Sequence, residues 1–307
     1  MRIALIGNQN SGKTTLFNLL TGSNQKVGNW PGVTIERKSG YIKNTNYELI
    51  DLPGVYSLSP YTNEEKISRS QVLNEDIDCI INIVDATSLE RSLYLTTQLL
   101  ELDVNIIVAL NMADMLEKKK IKINEKKLSE ILGCPVIKIS ALKKQGIAEL
   151  IKEIGLNKKK KEIKIFSQLI EEKISKINEL ISSKHKRFIS VKLLENDVVS
   201  PEYASIDVSN ERYEIEKYYD LEAMEVIASQ RYDFIEKIKR ECLEKKETFE
   251  TISDKLDKIF LNKYTAIPIF IIIMFLVYYL SVGVVGSFTV DLMEGLIVNF
   301  SELVKNG

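Results

Sequence analysis

One stretch near the N-terminus, Gly7-Asn8-Gln9-Asn10-Ser11-Gly12-Lys13-Thr14, constrains the fold of this chain more than any other. It follows the apolar run Ile3-Ala4-Leu5-Ile6 and opens a helical pattern, the strand–loop–helix setting that a GxxxxGK[ST] phosphate loop requires. Glycines let such a loop close so tightly that successive backbone N–H groups converge at a helix N-terminus and cradle an anion. The pattern places Lys13 at the β- and γ-phosphates of a nucleotide and the Thr14 hydroxyl on Mg²⁺, with Thr15 beside it among the nucleotide contacts.

The rest of residues 1–157 agrees with that start. Apolar runs at Tyr47–Ile50, Cys79–Val84, Asn105–Leu110 and Val136–Ile139 alternate with helical stretches such as Leu93, Thr96, Leu99 and Leu100. Such alternation predicts an α/β domain, a mostly parallel sheet with helices on both faces. Ligands of these sheets sit at the C-terminal ends of the strands. There the chain carries Asp51-Leu52-Pro53-Gly54, where Asp51 would hold Mg²⁺ and the Gly54 N–H would face the γ-phosphate. After the next strands come Asn111-Met112-Ala113-Asp114 and Ser140-Ala141-Leu142. An Asp114 carboxylate can accept from the N1–H and exocyclic amine of guanine, an edge adenine lacks, and the Ala141 N–H would lie near guanine O6. Each motif alone is weak. In this order they predict GTP or GDP as ligand and a translation-factor-class GTPase. Gly32, Val33 and Thr34 form a loop expected to close on the nucleotide, Thr34 as the switch threonine on Mg²⁺. Directly after Gly54, where Ras-like proteins place a water-orienting glutamine, stands Val55, so hydrolysis without help is expected to be slow.

At Lys158-Lys159-Lys160-Lys161 the texture changes, to a solvated linker or a lysine run touching lipid phosphate. No glycine occurs between Leu156 and Val282, which disfavours a sheet and favours helices. Phe166, Leu169, Ile170, Ile174, Ile177 and Ile181 keep helical spacing, as do Met224, Ile227, Phe234, Ile238 and Cys242. A last helix through Phe249, Ile252, Leu256 and Ile259 runs toward a segment of another kind. From Tyr264 to Val290 no residue is Asp, Glu, Lys, Arg or His. About 20 apolar residues suffice to cross the hydrocarbon core as a helix, so the run predicts one transmembrane helix. Lys255, Lys258 and Lys263 before it and Asp291 and Glu294 after it leave the N-terminal part in the cytoplasm. The expected domains are 1–157, nucleotide-binding; 158–260, helical; and 261–307, membrane segment and tail.

Composition narrows the remaining classes. Lys and Arg (42) nearly balance Asp and Glu (43), so no global field draws the chain to nucleic acid. A ribosome-assembly GTPase with a KH module would need a GxxG loop, which the glycine-free stretch excludes. Three scattered cysteines and one histidine argue against a disulfide framework or His-based metal chemistry. Cys79 and Cys134 read as core, Cys242 as buried or exposed, His185 as a surface residue, and Trp30 as a switch-loop anchor, with a ligand role also open.

The phosphate loop, Val27-Gly28-Asn29-Trp30-Pro31-Gly32-Val33-Thr34, Asp51 to Leu58 and Val84 to Leu95 resemble the ferrous iron transport protein B (FeoB) family. Leu261-Asn262-Lys263-Tyr264 with Pro268-Ile269-Phe270 resembles it as well. The resemblance implies a cytoplasmic GTPase domain joined to a helical domain likened to a GDP-dissociation inhibitor, ahead of a multi-span ferrous iron permease in the cell (inner) membrane. It implies the lipid bilayer and further membrane segments as partners, leaves an oligomer open, and makes GTP hydrolysis a regulator of iron permeation. In potassium-activated GTPases, which the family resembles here, an asparagine at the place of Asn10 coordinates K⁺, with carbonyls of the Gly28–Trp30 stretch completing the shell; the plainer alternative is a hydrogen bond within the loop. Catalysis would then rest on Asn10, Lys13, Thr34 and Gly54. The family loop usually reads Asn-Pro-Asn, and Gln9 replaces that proline here, with a small effect expected on a backbone cradle. With one span the chain is expected to be a fragment or truncated product, unable to form a permeation path by itself. A membrane-tethered signalling or assembly GTPase without a transport role is the alternative.

Overall fold

A computed structural model describes residues 1–22, 25–30, 33–59, 61–74, 76–118, 121–156, 158–245, 260, 262, 265–286, 289–290 and 293–294. The apolar runs become strands β1 (Arg2–Gly7), β4 (Glu48–Asp51), β5 (Cys79–Asp85), β6 (Asn105–Asn111) and β8 (Val136–Lys138). Two polar strands, β2 (Gln25–Asn29) and β3 (Glu36–Tyr41), join them in one sheet of order β2-β3-β4-β1-β5-β6-β8. All pairings from β4 to β8 are parallel, whereas β2–β3 and β3–β4 are antiparallel. The sheet is therefore mostly parallel, as the alternating pattern predicts.

Side-chain alternation along β1 divides the core in two. Ile3 and Leu5 join Leu16, Phe17 and Leu20 of helix α1 (Lys13–Thr21) and Leu150 and Ile154 of α6 (Ile147–Leu156). Ala4 and Ile6 face the other side, with Leu89, Leu93 and Leu99 of α3 (Leu89–Leu99) and Leu128 and Leu132 of α5 (Glu125–Leu132). Between these come α2 (Asn63–Asn74) and α4 (Ala113–Lys118). Helices thus cover both faces.

Residues 158–245 carry α7 (Gln168–Asn178), α8 (Lys186–Leu194), α9 (Ser209–Tyr219) and α10 (Ala223–Cys242). The region is not purely helical: β9 (Leu243–Lys245) pairs antiparallel with β7 (Ile121–Ile123). One long helix links two cores. Ala223, Val226 and Ile227 of α10 pack with Ile170, Ile174 and Ile177 of α7, whereas Ile235, Ile238 and Cys242, about two to four turns further on, enter the core of the sheet. Met224, expected on the apolar face, is exposed, because that face runs through Ala223 instead. Met1–Lys246 accordingly form one compact unit.

The second unit, Glu247–Gly307, holds α11 (Ala266–Tyr278), continued by a π-helical stretch Tyr279–Gly286. Its apolar side chains are exposed, and Ala266–Gly283, with mean hydropathy 2.4, is long and apolar enough to cross a membrane. The expected helix through Phe249, Ile252, Leu256 and Ile259 lies outside the described residues, as do the flanking Lys255, Lys258, Lys263 and Asp291.

Candidate nucleotide-binding site

The loop between β1 and α1 has the backbone its sequence demands. Asn10 (φ 64°) and Gly12 (φ 91°) adopt left-handed conformations, a concave arrangement that aims main-chain N–H groups inward. A Cβ at Gly12 would collide with the Asn111 amide, so any side chain there is excluded by space as well as by φ. Ser11 ties the loop down, its N–H and hydroxyl both donating to the Asn8 carbonyl, at 3.3 and 2.8 Å. Gly7 and Asn8 are buried, while Gln9, Asn10, Thr14 and Thr15 are exposed.

Lys13 opens α1 and donates to Asp51 Oδ1 at 2.5 Å. The parallel register that sets Leu5 opposite Asp51 brings the end of β4 beneath the loop. Burial pushes the Asp51 carboxyl up from its usual range, against the opposing pull of the Lys13 ammonium. Beyond β4 the chain stays on β1: the Leu52 N–H donates to Leu5 O and the Val55 N–H to Gly7 O. Leu52 is buried, Pro53 and Gly54 are half-buried, and Val55 points into the core with 1% exposure.

At the ends of β6 and β8 three segments are stitched together. Asn111 Nδ2 donates to Ser11 O (2.8 Å), and its Oδ1 accepts from the Ala141 N–H (2.9 Å). The Ala141 N–H expected at guanine O6 is thus engaged by Asn111. Met112 has φ 63°, which turns the chain so that Asp114 faces back, where its Oδ1 accepts from the Ser140 hydroxyl at 2.9 Å. Lys143 Nζ lies 3.9 Å from the second carboxylate oxygen, and Leu142 is exposed.

Trp30, in the segment expected to close on the nucleotide, is 2% exposed within the sheet's core, with Arg37 stacked 4.8 Å from its ring centroid. Its N–H donates to Ile35 O, and its carbonyl accepts from the Val33 N–H. Gly28 belongs to β2, opposite Arg37 of β3. Val33 is half-buried and Thr34 exposed, with no hydrogen bond to the phosphate loop among the described residues; Gly32 lies outside them.

Two residues depart from expectation. His185 is buried, not on the surface: its Nδ1 accepts from the Asp103 N–H at 3.1 Å, and burial, assisted by Lys184, pulls its pKa down to about 4. The lysines around it mislead because they point outward while the ring turns in. Arg91, to which the sequence assigned no role, accepts at its carbonyl from Asn8 Nδ2 (3.1 Å) and stacks its guanidinium 4.0 Å from the Tyr56 ring centroid. It thus touches both the phosphate loop and the segment after Gly54; its place within Val84–Leu95 was the available signal.

Comparison with known proteins agrees with this geometry. Residues 1–154 match the family described as ferrous iron transport protein B, and residues 166–244 match the FeoB cytosolic helical domain. The Fe(2+) transporter FeoB of Escherichia coli K12 is 39% identical over 306 residues, covering 94% of this chain and 39% of its own length. The chain therefore spans about two fifths of the length of the curated relatives it matches. A GDP-bound variant of the S. thermophilus FeoB G-domain is 43% identical, with a TM-score of 0.73 over 80% of this chain and 100% of that one. The cytosolic domain of L. pneumophila FeoB is 38% identical, with a TM-score of 0.69 over 80% and 100%. A further S. thermophilus variant, bound to GDP and AlF4⁻, is 45% identical, with a TM-score of 0.67 over 78% and 99%. With the phosphate loop, Asp51 and Asn111–Asp114 assembled at one sheet edge, and helices following, the chain belongs to the FeoB family and carries its GTPase domain and its cytosolic helical domain.

Proposed function

We propose that the chain binds GTP and hydrolyses it to GDP and phosphate as the cytoplasmic module of a ferrous iron uptake transporter, regulating permeation through its nucleotide state. One observation supports this above the rest: the Lys13–Asp51 contact and the Asn111 bridge from Ser11 to Ala141 join phosphate-binding and base-reading segments at one sheet edge. In this reading the loop Gly7–Gly12 cradles the phosphates through its N–H groups, and Lys13 exchanges Asp51 for β- and γ-phosphate oxygens. Gly54 N–H meets the γ-phosphate, with Leu52 and Pro53 as its support and Gly32 and Val33 closing over it. Asp114 exchanges the Ser140 hydroxyl for the N1–H and amine of guanine. Met112, Ala141 and Leu142 line the base.

Thr14, Thr34 and Asp51 are hard oxygen donors of the kind Mg²⁺ takes. When bound, that ion neutralises charge on the β- and γ-phosphates. Asn10 suits K⁺ in the same sense. Its side chain is exposed and makes no hydrogen bond to a described residue, which disfavours the plainer role of tying the loop; carbonyls of the Gly28–Trp30 stretch would complete the shell, the Trp30 carbonyl giving up the Val33 N–H to do so. Bound K⁺ would supply positive charge beside the phosphates.

The division into 1–157, 158–260 and 261–307 belongs to this reading. So do the lipid bilayer, the further membrane segments of a permease, and a place in the cell (inner) membrane with residues 1–260 in the cytoplasm. The named relatives are Fe(2+) transporters. Fluorescent (mant) nucleotide titration tests the site. Lys13→Ala should lose GTP affinity, and Asp114→Asn should shift preference from guanine to xanthine nucleotides by about 10²-fold, since an amide donates where the carboxylate accepts. Hydrolysis in KCl against NaCl, with Asn10→Ala alongside, tests K⁺: equal rates in both salts would remove it. Iron-dependent growth of a transport-deficient strain, complemented by the full-length gene with and without Lys13→Ala, tests the transport role.

A further inference from the structure

Where the attacking water is held is not answered by the residues after Gly54. Val55 is buried and its N–H is bonded to Gly7 O. Tyr56 lies under the Arg91 guanidinium, and the Ser57 hydroxyl donates to Glu65. None of Val55, Tyr56, Ser57, Leu58 and Ser59 carries a carboxamide or a carboxylate.

A carboxamide does reach the same place from the other side. A Cβ built on Gly54 would lie 3.3 Å from Gln9 Cγ and 3.4 Å from Gln9 Cα and N, so the stem of Gln9 rests directly on Gly54. Gln9 is exposed, and its amide makes no hydrogen bond to a described residue. Its loop neighbours are placed differently: Asn8 is buried and donates to Arg91 O, and Asn10 is exposed on a left-handed backbone, with no contact to Gly54 among those nearest its Cβ position. Gln9 is therefore the phosphate-loop side chain that leaves the cradle over Gly54.

We propose that Gln9 is a catalytic residue of GTP hydrolysis, its carboxamide holding the water that attacks the γ-phosphorus. This rests on the reading of the site as a GTPase. A carboxamide accepts and donates at once, so Oε1 can accept from the water while Nε2 donates to a γ-phosphate oxygen. The water oxygen then forms a bond to the γ-phosphorus as the bond to the β–γ bridging oxygen breaks. GDP leaves with that electron pair, and one water proton passes to the phosphate product. Gln9 gains and loses no proton. The residue's identity is thus immaterial to the backbone cradle, as the sequence implies, but decisive for the water.

The test compares wild type, Gln9→Ala and Gln9→Met as full chains in detergent at fixed KCl and MgCl2. Met keeps the length and volume of the side chain against Gly54 but removes both hydrogen-bonding atoms. We expect kcat to fall by about tenfold in both variants through loss of orientation, with mant-GDP affinity unchanged within about twofold. The gain in mant-GDP affinity on adding aluminium fluoride, which mimics the transferring phosphoryl group, should be lost as well. A wild-type kcat in Gln9→Met, or an intact aluminium fluoride response in Gln9→Ala, would overturn the assignment while leaving the GTPase reading in place. A wild-type chain that binds mant-GTP but never hydrolyses it, or does not bind it, would overturn the GTPase reading and this assignment with it.

Discussion

Arg231 ties the sheet domain to the helices that follow it through buried ion pairs. It sits in α10 with no exposed surface, donating to Glu101 at 2.7 and 3.3 Å and to Glu195 at 3.2 Å. Burial opposes its charge, yet the two carboxylates hold the guanidinium's pKa above its usual value. Lys192 completes the group, 2.6 Å from Glu195 and 1% exposed. Replacing Arg231 with Met fills much of the volume but strands Glu101, whose side chain has no exposure, without its partner. Breaking one side of a buried ion pair costs about 3–5 kcal/mol, against about 5–15 kcal/mol for a whole domain. The cost should depend on pH. Burial already raises the Glu101 pKa above 4.5 with Arg231 in place, and removing the cation raises it further. The folded variant then binds more protons than the unfolded chain, so its stability falls as pH rises above 4.5. Urea unfolding of fragment 1–246, which forms a compact unit, measures both effects. The loss should be larger at pH 8 than at pH 5.5, and Glu101→Gln should recover part of it in the double variant. A loss below about 1 kcal/mol at pH 8, within the range of a surface pair, would refute the reasoning.

Three further outcomes follow from other parts of the fold. Trp30 is the single tryptophan and is buried four residues before Thr34, the proposed switch threonine, so its emission reports that segment alone; GDP and a non-hydrolysable GTP analogue should give different emission maxima or iodide quenching, and identical spectra would refute switch movement at Trp30. Ile238→Ala, at a fully buried position in the sheet's core, should cost about 2–5 kcal/mol in urea unfolding, whereas the same change at exposed Met224 should cost under about 0.5 kcal/mol. The pKa of His185 drops to about 4 from 6.5, so the unfolded chain takes up a proton as pH falls through that window and stability is lost with it. His185→Asn should flatten the pH dependence between 6.5 and 4, measured as the difference from wild type.

The parts of the fold that were legible share a physical cause. β1, β4, β5, β6 and β8 are largely buried, so each reads as a mainly apolar run between polar turns, and the phosphate loop and Asn111–Asp114 are tied to strand ends by fixed spacing. The polar strands β2 and β3 were not legible. They lie toward the sheet's edge, where Lys26, Lys38 and Glu36 lose little by facing water, and their pairing with each other and with β4 depends on backbone hydrogen bonds that carry no side-chain signature. The helical region was legible as helices but not as a partner of the sheet. The 3.6-residue period marks the apolar face of α10 without saying that its first turns face one core and its last turns another. The buried charges were the least legible. A scale of polarity places Arg231 at the surface with other arginines, because burial of a guanidinium is tolerable only where carboxylates already wait for it. Glu101 stands 130 positions away in the chain, and nothing local to either residue encodes the meeting. A neutral pair of the same shape could fill the space equally well; what the charges add is directional contacts from Arg231 to Glu101 and Glu195 that fit one relative placement of the two regions. Arg69 sharpens that inference: it projects from α2, just after the Gly54 segment, and grips Asp197 with two hydrogen bonds at 2.7 and 2.9 Å, while Lys192 of the buried group lies 3.7 Å from the same Asp197. Any shift of α2 on nucleotide exchange must therefore drag or break Asp197, and Arg69→Ala should uncouple the helical region from the nucleotide, read as loss of any GTP-dependent change in proteolytic cleavage of residues 195–205 while mant-GDP affinity persists; a cleavage pattern still sensitive to GTP would show that the coupling runs elsewhere.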